Sequence, residues 1–233
     1  MSLLTVVQDV CLNVGVQYPA SVFSNIATNR TMQEMLAHAN EMAQRVAHDT
    51  REWTKLKATA SFVGDGVKTA FTLPANYQRM LLSSNVWHST TPMAPMRFVP
   101  DTDEWMQRRA RSLSDSRSEW TMYGGQMHIW PALAVGSTAY FTYLDKNCIE
   151  LSSGGRGDRF LSDADNFALD DRLLKLGMIW QWKASKGAPY GEDMGNYGDA
   201  LATTSGADKP APIIVGHLPL TGNITTALPW SIP

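Results

Sequence analysis

Acidic side chains gather at two places in this 233-residue sequence: Asp101, Asp103 and Glu104, and then Asp163, Asp165, Asp170 and Asp171. Two carboxyls about 5 to 10 Å apart across a cleft can hydrolyse a glycosidic bond, which makes Asp101 with Glu104 a candidate acid–base pair. Both clusters, however, open stretches of helical periodicity. There an acidic side chain accepts hydrogen bonds from free N–H groups and offsets the helix dipole. The five histidines, His38, His48, His88, His128 and His217, form no HxH, HExxH or Cys–His pattern, so they point to neither zinc nor a metalloprotease. Cys11 falls on an apolar helix face near Asp9, whose charge has the wrong sign to activate a thiolate. With Cys148 it makes no disulfide framework. The stretch Ser152-Ser153-Gly154-Gly155-Arg156-Gly157-Asp158 reads as a flexible surface loop. It lacks the GK[ST] ending of a phosphate loop, and no G-x-S-x-G elbow occurs. We assign no catalytic, cofactor-binding or metal-binding residue, and the expectation is a protein without enzymatic activity or cofactor.

Arg108, Arg109, Arg111 and Arg117 lie close together, with Trp105 and Trp120 nearby. Basic and aromatic side chains together suit a nucleic-acid surface, but Asp101, Asp103, Glu104, Asp115 and Glu119 balance them locally. Arginine is also enriched at protein interfaces. Arg108, Arg109 and Arg111 are therefore candidates for a subunit interface in a ring or for a channel lining. The chain as a whole has a formal charge of −2, which gives no bulk attraction to nucleic acid or to an anionic membrane. No apolar run approaches the roughly 20 residues of a spanning helix. Met1–Val10 has no basic n-region, and Asp9 interrupts its apolar run. Synthesis in a reducing cytoplasm is expected.

The elements that must position these residues follow from periodicity. Ser2 caps a helix with Leu3, Val6, Val7, Val10 and Val14 on one face, closed by Gly15. A second helix runs from about Thr31 to Trp53, with Met32, Met35, Leu36, Ala39, Met42, Ala43 and Val46 three and four apart. Strands are expected at Leu56–Val63 and Lys68–Leu73, as a hairpin across Gly64-Asp65-Gly66. Others fall at Leu81–Trp87, Trp120–Tyr123, Gln126–Trp130 and Thr138–Leu144, with a tight turn at Gly124-Gly125. Asp101–Ser112 reads as a short helix, a helix returns near Asp163 and stops at Gly187, and a weaker one covers Glu192–Thr203. The expected fold is α+β: a helical bundle with a β-rich hairpin insert and an extended C-terminal arm. Its divisions are N-terminal helices at 1–55, the insert at 56–160, C-terminal helices at 161–205 and the arm at 206–233.

In the arm Asp208 and Lys209 are the only formally charged side chains, and Pro210, Pro212, Pro219, Pro229 and Pro233 forbid regular helix. Disordered tails are polar and highly charged. This one carries Ile213, Ile214, Val215, Leu218, Leu220, Ile224, Leu228 and Trp230. Burying those side chains does not by itself offset the ordering of so much backbone, so the arm also needs backbone hydrogen bonds, for instance by strand addition to a partner. These eight residues are the candidate contacts to a partner protein.

The opening Leu3-Leu4-Thr5-Val6-Val7-Gln8-Asp9-Val10-Cys11, with Gly15, Pro19 and Ser21-Val22, resembles the head-to-tail adaptor (head completion) proteins of tailed bacteriophages. So do Met35-Leu36-Ala37-His38-Ala39-Asn40-Glu41, Trp53 and Leu56. Phe71-Thr72-Leu73-Pro74 with Tyr77 and Arg79 is similar to the family's strand-end segment, and Leu173–Lys183 with Gly187 and Tyr190 to its late helix. The resemblance touches most of residues 1–80 and 165–190. Arg51-Glu52-Trp53 departs from the acidic–aromatic pair more usual there, and the middle segment to Leu151 is long. The resemblance implies a structural virion protein made in the bacterial host cytoplasm. It implies a ring of copies, commonly twelve, between the portal protein and a tail or nozzle protein. Double-stranded DNA would pass through that ring without sequence-specific binding, and the arm would lie in or along the portal. The alternatives are a small cell-wall glycan hydrolase using Asp101 and Glu104, or another neck or tail subunit such as a terminator.

Overall fold

The computed structural model describes residues 1–24, 26–82, 84–90, 94–113 and 117–208. Helix α1 is Leu3–Val14. Ser2 caps it by accepting from the Thr5 N–H, and Gly15 closes it at φ 71°, a conformation open to glycine without strain. Asn29 caps α2, Arg30–Gln44, by accepting from the N–H groups of Thr31 and Met32. A π-helical turn, Arg45–Asp49, prolongs it. After Trp53 a 3₁₀ turn, Thr54–Leu56, leads into strand β1, Lys57–Val63. Four short strands follow: β2 (Ala70–Thr72), β3 (Tyr77–Met80), β4 (Trp87–His88) and β5 (Arg97–Phe98). Helix α3, Thr102–Ala110, precedes the longer strands β6 (Glu119–Tyr123), β7 (Gln126–Trp130) and β8 (Thr138–Asp145). Then come β9 (Ile149–Glu150), β10 (Arg156–Gly157) and β11 (Asn166–Phe167). Helices α4 (Asp171–Ser185) and α5 (Gly191–Ala207) complete the described chain.

The strands form three sheets. In the first, β8 is central, with β1 on one side and β3 and β4 on the other, all antiparallel. The second runs β2-β7-β6-β5, with β5 parallel to β6 and the other pairs antiparallel. The small third sheet is β10-β9-β11. Alternation along β8 divides the interior in two. Ala139, Phe141 and Tyr143 join Phe71, Trp120, Met127 and Ile129 in a core belonging to the first two sheets. Phe62 stacks on Phe71 at 4.9 Å and lies 5.3 Å from Phe141, which ties the two sheets together. Leu144 belongs instead to a second core, with the buried faces of α1, α2, α4 and α5 and with Cys148, Ile149, Phe160 and Phe167.

This arrangement overturns the expected helical bundle with a hairpin insert. The fold is α+β and more strand-rich, with five α-helices and three sheets among the described residues. The sheets carry their own core and need no bundle to cover them. The expected hairpin across Gly64-Asp65-Gly66 does not form either: β1 pairs with β8, and β2 pairs with β7. The turn residues serve another purpose. Asp65 accepts from the N–H groups of Val67 and Lys68, and Gly64 and Gly66 donate to the carbonyls of Ser137 and Leu133. A Cβ on Gly64 would lie 2.5 Å from Leu133 and Ala134, so the two loops approach this closely only with glycine there.

Elsewhere local signals hold. Strands β6 and β7 meet in a hairpin with Gly124 and Gly125 at φ 59° and 71°. Asp101 caps α3. The strand expected over Leu81–Trp87 is interrupted, since the Ser84 N–H turns back to the Leu81 carbonyl and, among the described residues of that segment, only Trp87 pairs with β8. Helix α4 starts at Asp171 and not near Asp163, because Asp163 is engaged with the Ser21 hydroxyl and the Val22 N–H. The loop at 152–155 is a folded turn joining β9 to β10, with the Leu151 N–H on the Gly155 carbonyl.

Candidate assembly surfaces

Beside α3 the structure gathers four charged side chains from three elements. Glu119, at the start of β6, is 0% exposed. The Arg108 guanidinium grips it with two parallel donors, Nε to Oε2 at 2.8 Å and Nη2 to Oε1. Such a fork gives direction as well as attraction. Arg97 from β5 lies 4.0 Å from Glu119 and 3.2 Å from Glu104, and Arg108 is 3.8 Å from Glu104. The network therefore locks α3 onto the edge of the second sheet. By sequence Glu119 counts among the acids that balance the arginines on a solvated face and is not marked as buried, and Arg97 is not named. Nothing local marks a glutamate as buried when its partner comes from a separate helix. Of the three candidate arginines, Arg108 thus has an internal role. Arg109 lies over the Trp130 ring at 5.1 Å. Arg111 is exposed at the end of α3, where its N–H closes the helix on the Gln107 carbonyl.

The acidic clusters are engaged in holding the backbone. Asp101 accepts from the Asp103 N–H at 2.8 Å, and Glu104 sits between Arg97 and Arg108. Burial alone would raise the Asp165 pKa, but N–H groups of Ser152, Leu161 and Ser162 converge on its carboxylate and hold it below the ordinary range. Asp170 caps α4 and receives the Thr204 hydroxyl at 3.3 Å, and Asp171 pairs with the N-terminal amine. Burial pushes the Cys11 thiol up, and that of Cys148 to about 12, as expected for cysteines that act as small buried apolar groups. Among the described residues no group of three or more His, Cys, Asp and Glu side chains could hold a metal ion.

The described chain ends at Asp208, and its position there is well determined by contacts. Its carboxylate accepts from the Thr54 N–H at 3.1 Å and from the Thr54 hydroxyl, and Arg51 pairs with it at 3.4 Å. Arg51 also donates to the Ser205 carbonyl and lies over the Trp53 ring at 5.4 Å. The end of α5 is thereby fastened to the 3₁₀ turn from which β1 departs. A groove of about 680 Å³ opens at this junction, lined by Met1, Trp53, Leu169, Arg172, Thr204 and Ala207. The residues expected to contact a partner, Ile213, Ile214, Val215, Leu218, Leu220, Ile224, Leu228 and Trp230, lie outside the described residues, as do His217 and Asp115. No family model and no curated protein matches this sequence.

Proposed function

We propose that this chain is a structural subunit of a tailed-phage neck, an adaptor that forms a ring beneath the portal, prolongs the DNA channel and offers a docking face to the tail. The observation that carries this reading is the charge-poor arm and where it begins. Residues 209–233 contain one formally charged side chain, Lys209, and they continue from Asp208, a point held by Thr54 and Arg51. A greasy segment of this length, punctuated by proline, gains most by lying along another polypeptide, where its backbone groups also find partners. Many linked copies in a ring would multiply a weak single contact. The resemblance of the α1 and α2 segments to phage adaptors supplies the kind of partner.

The test is capture of portal subunits by the full chain and by a chain ending at Asp208. Capture by the full chain and its loss on truncation is the expected result. Equal capture by both would remove the arm from the interface, and no capture by either would remove the adaptor reading itself.

A further inference from the structure

Strand β1 is the outer strand of its sheet and runs seven residues, Lys57–Val63. Long open edges are ordinarily blunted by charge, proline, a bulge or a covering segment, because their unpaired backbone groups template the addition of another chain. Lys57 is the only charged residue of β1, it contains no proline, and its register with β8 is unbroken. The direction of its backbone groups follows from the ladder. The Gly64 N–H donates to Ser137, and the Ser89 N–H donates to Thr138 from the opposite side of β8. Alternation then puts the backbone groups of Ala58, Ala60 and Phe62 on β8 and turns those of Lys57, Thr59, Ser61 and Val63 outward. The Lys57 N–H closes the preceding 3₁₀ turn on the Thr54 carbonyl; among the described residues the outward backbone groups of Thr59, Ser61 and Val63 have no hydrogen-bond partner. Their side chains are exposed as well.

The sequence holds a matching segment. Ile213-Ile214-Val215-Gly216-His217-Leu218 carries no formal charge and lies between Pro212 and Pro219, so all six N–H groups are available to a ladder whose ends are set by proline. It begins five residues after Asp208, which is tied to Thr54, just ahead of Lys57. From that point a chain's own segment meets the beginning of β1 and can run along it only in parallel. The segment of another copy can approach antiparallel, the pairing β1 already makes with β8 and the slightly more stable of the two.

We propose that the open edge of β1 takes up Ile213–Leu218 of a second copy as an added antiparallel strand; this rests on the adaptor reading, in which copies stand side by side. In such a strand Ile213 and Val215 share one face, and Ile214 and Leu218 the other. One pair then extends the apolar side of the sheet beside Ala60 and the half-buried Phe62, both packed on the sheet core. Donation of each arm to the next copy is a head-to-tail contact, the kind that closes into a ring when the rotation between copies permits.

Crosslinking of the full-length protein tests this. Ser61→Cys and Val215→Cys chains are mixed at high concentration and treated with a short thiol-reactive crosslinker that tolerates a small register slip. Cys11 and Cys148 are buried and stay silent. The expected product is a crosslink between the two different chains, reduced roughly tenfold by adding Thr59→Pro to the Ser61→Cys chain. Proline at 59 removes an outward N–H and leaves the β8 ladder whole, and an unchanged thermal midpoint verifies that the fold survives. Absence of the interchain product overturns the proposal. So does a crosslink that forms only within one chain in the Ser61→Cys/Val215→Cys double variant. Portal capture by the same proteins separates the two readings. Capture without the interchain crosslink removes the strand-addition proposal alone, and the crosslink without capture leaves strand addition standing and removes the adaptor.

Discussion

Glu119 is the residue on which the region around α3 most depends. Its carboxylate is fully buried, and Arg108 neutralises it through the forked contact. Removing one partner of such a pair leaves an uncompensated buried charge, which costs about 3 to 5 kcal/mol. Arg108→Ala is therefore expected to lower the unfolding free energy by roughly 3 kcal/mol in urea titrations. The double replacement Arg108→Met with Glu119→Leu is expected to cost less than Arg108→Ala. The histidines set the response to acid. Burial disfavours the imidazolium forms of His38, His48 and His128 and depresses each pKa below 6.5. His48 Nδ1 is buried with no hydrogen-bond partner among the described residues, while Nε2 faces the Lys146 carbonyl at 3.2 Å. The unfolded chain takes up protons near pH 6.5 that the folded chain refuses, so this stability is present above that pH and drains away as pH falls toward the depressed values. Thermal midpoints are expected to drop from about pH 7 to about pH 5, and His48→Gln to shrink the drop.

Among the elements, β1 and the α2–α4 contact make the sharpest demands. In β1 neighbouring residues differ in which way their N–H points, so proline substitutions one residue apart should behave differently. Ala60→Pro removes a bond to β8 and is expected to cost about 3 kcal/mol or more, while Ser61→Pro leaves that ladder intact and is expected to stay within about 1 kcal/mol by denaturant titration. Helices α2 and α4 approach at Gly177, where an added Cβ would lie 2.4 Å from Met42 Cγ. Gly177→Ala gains helix propensity but overpacks the contact, with an expected net cost of about 1 to 2 kcal/mol. Combining it with Met42→Ala should cost less than the two single changes added together, because the second removes the atoms in the way. Helices α1 and α3 and the β6–β7 hairpin were legible beforehand because each signal is local: a cap, an apolar stripe, two glycines with positive φ. The choice between β2 and β8 as the partner of β1 was not. Gly64-Asp65-Gly66 is as good a hairpin turn as Gly124-Gly125 by composition, and only the packing of Phe62, Phe71 and Phe141 decides otherwise.

Across the described residues two cores meet along β8, and Asp208, the last of them, is held beside the 3₁₀ turn that leads into β1. If the arm is held by other copies or by a portal, limited proteolysis should trim the chain back to near Asp208 in free protein and spare those residues in an assembled neck. Equal cleavage in both states, read by mass spectrometry, would detach the arm from assembly. The candidate surface was only partly legible. The arginine cluster and the arm stood out by composition. Arg108's use in an internal ion pair depended on Glu119 eleven positions away, and the open edge of β1 on a strand more than seventy positions away.

The amino-acid order alone determined that helices open and close the described chain, that Ser2 and Asp101 cap two of them, and that a charge-poor segment follows. These properties reside in a few adjacent residues and their hydrogen bonds. Only the tertiary structure decided that β1 has an open edge among the described residues and that Asp163 and Asp165 brace loops rather than start a helix. A strand's partner and a carboxylate's neighbours come from distant parts of the chain, chosen by which apolar faces can be buried together.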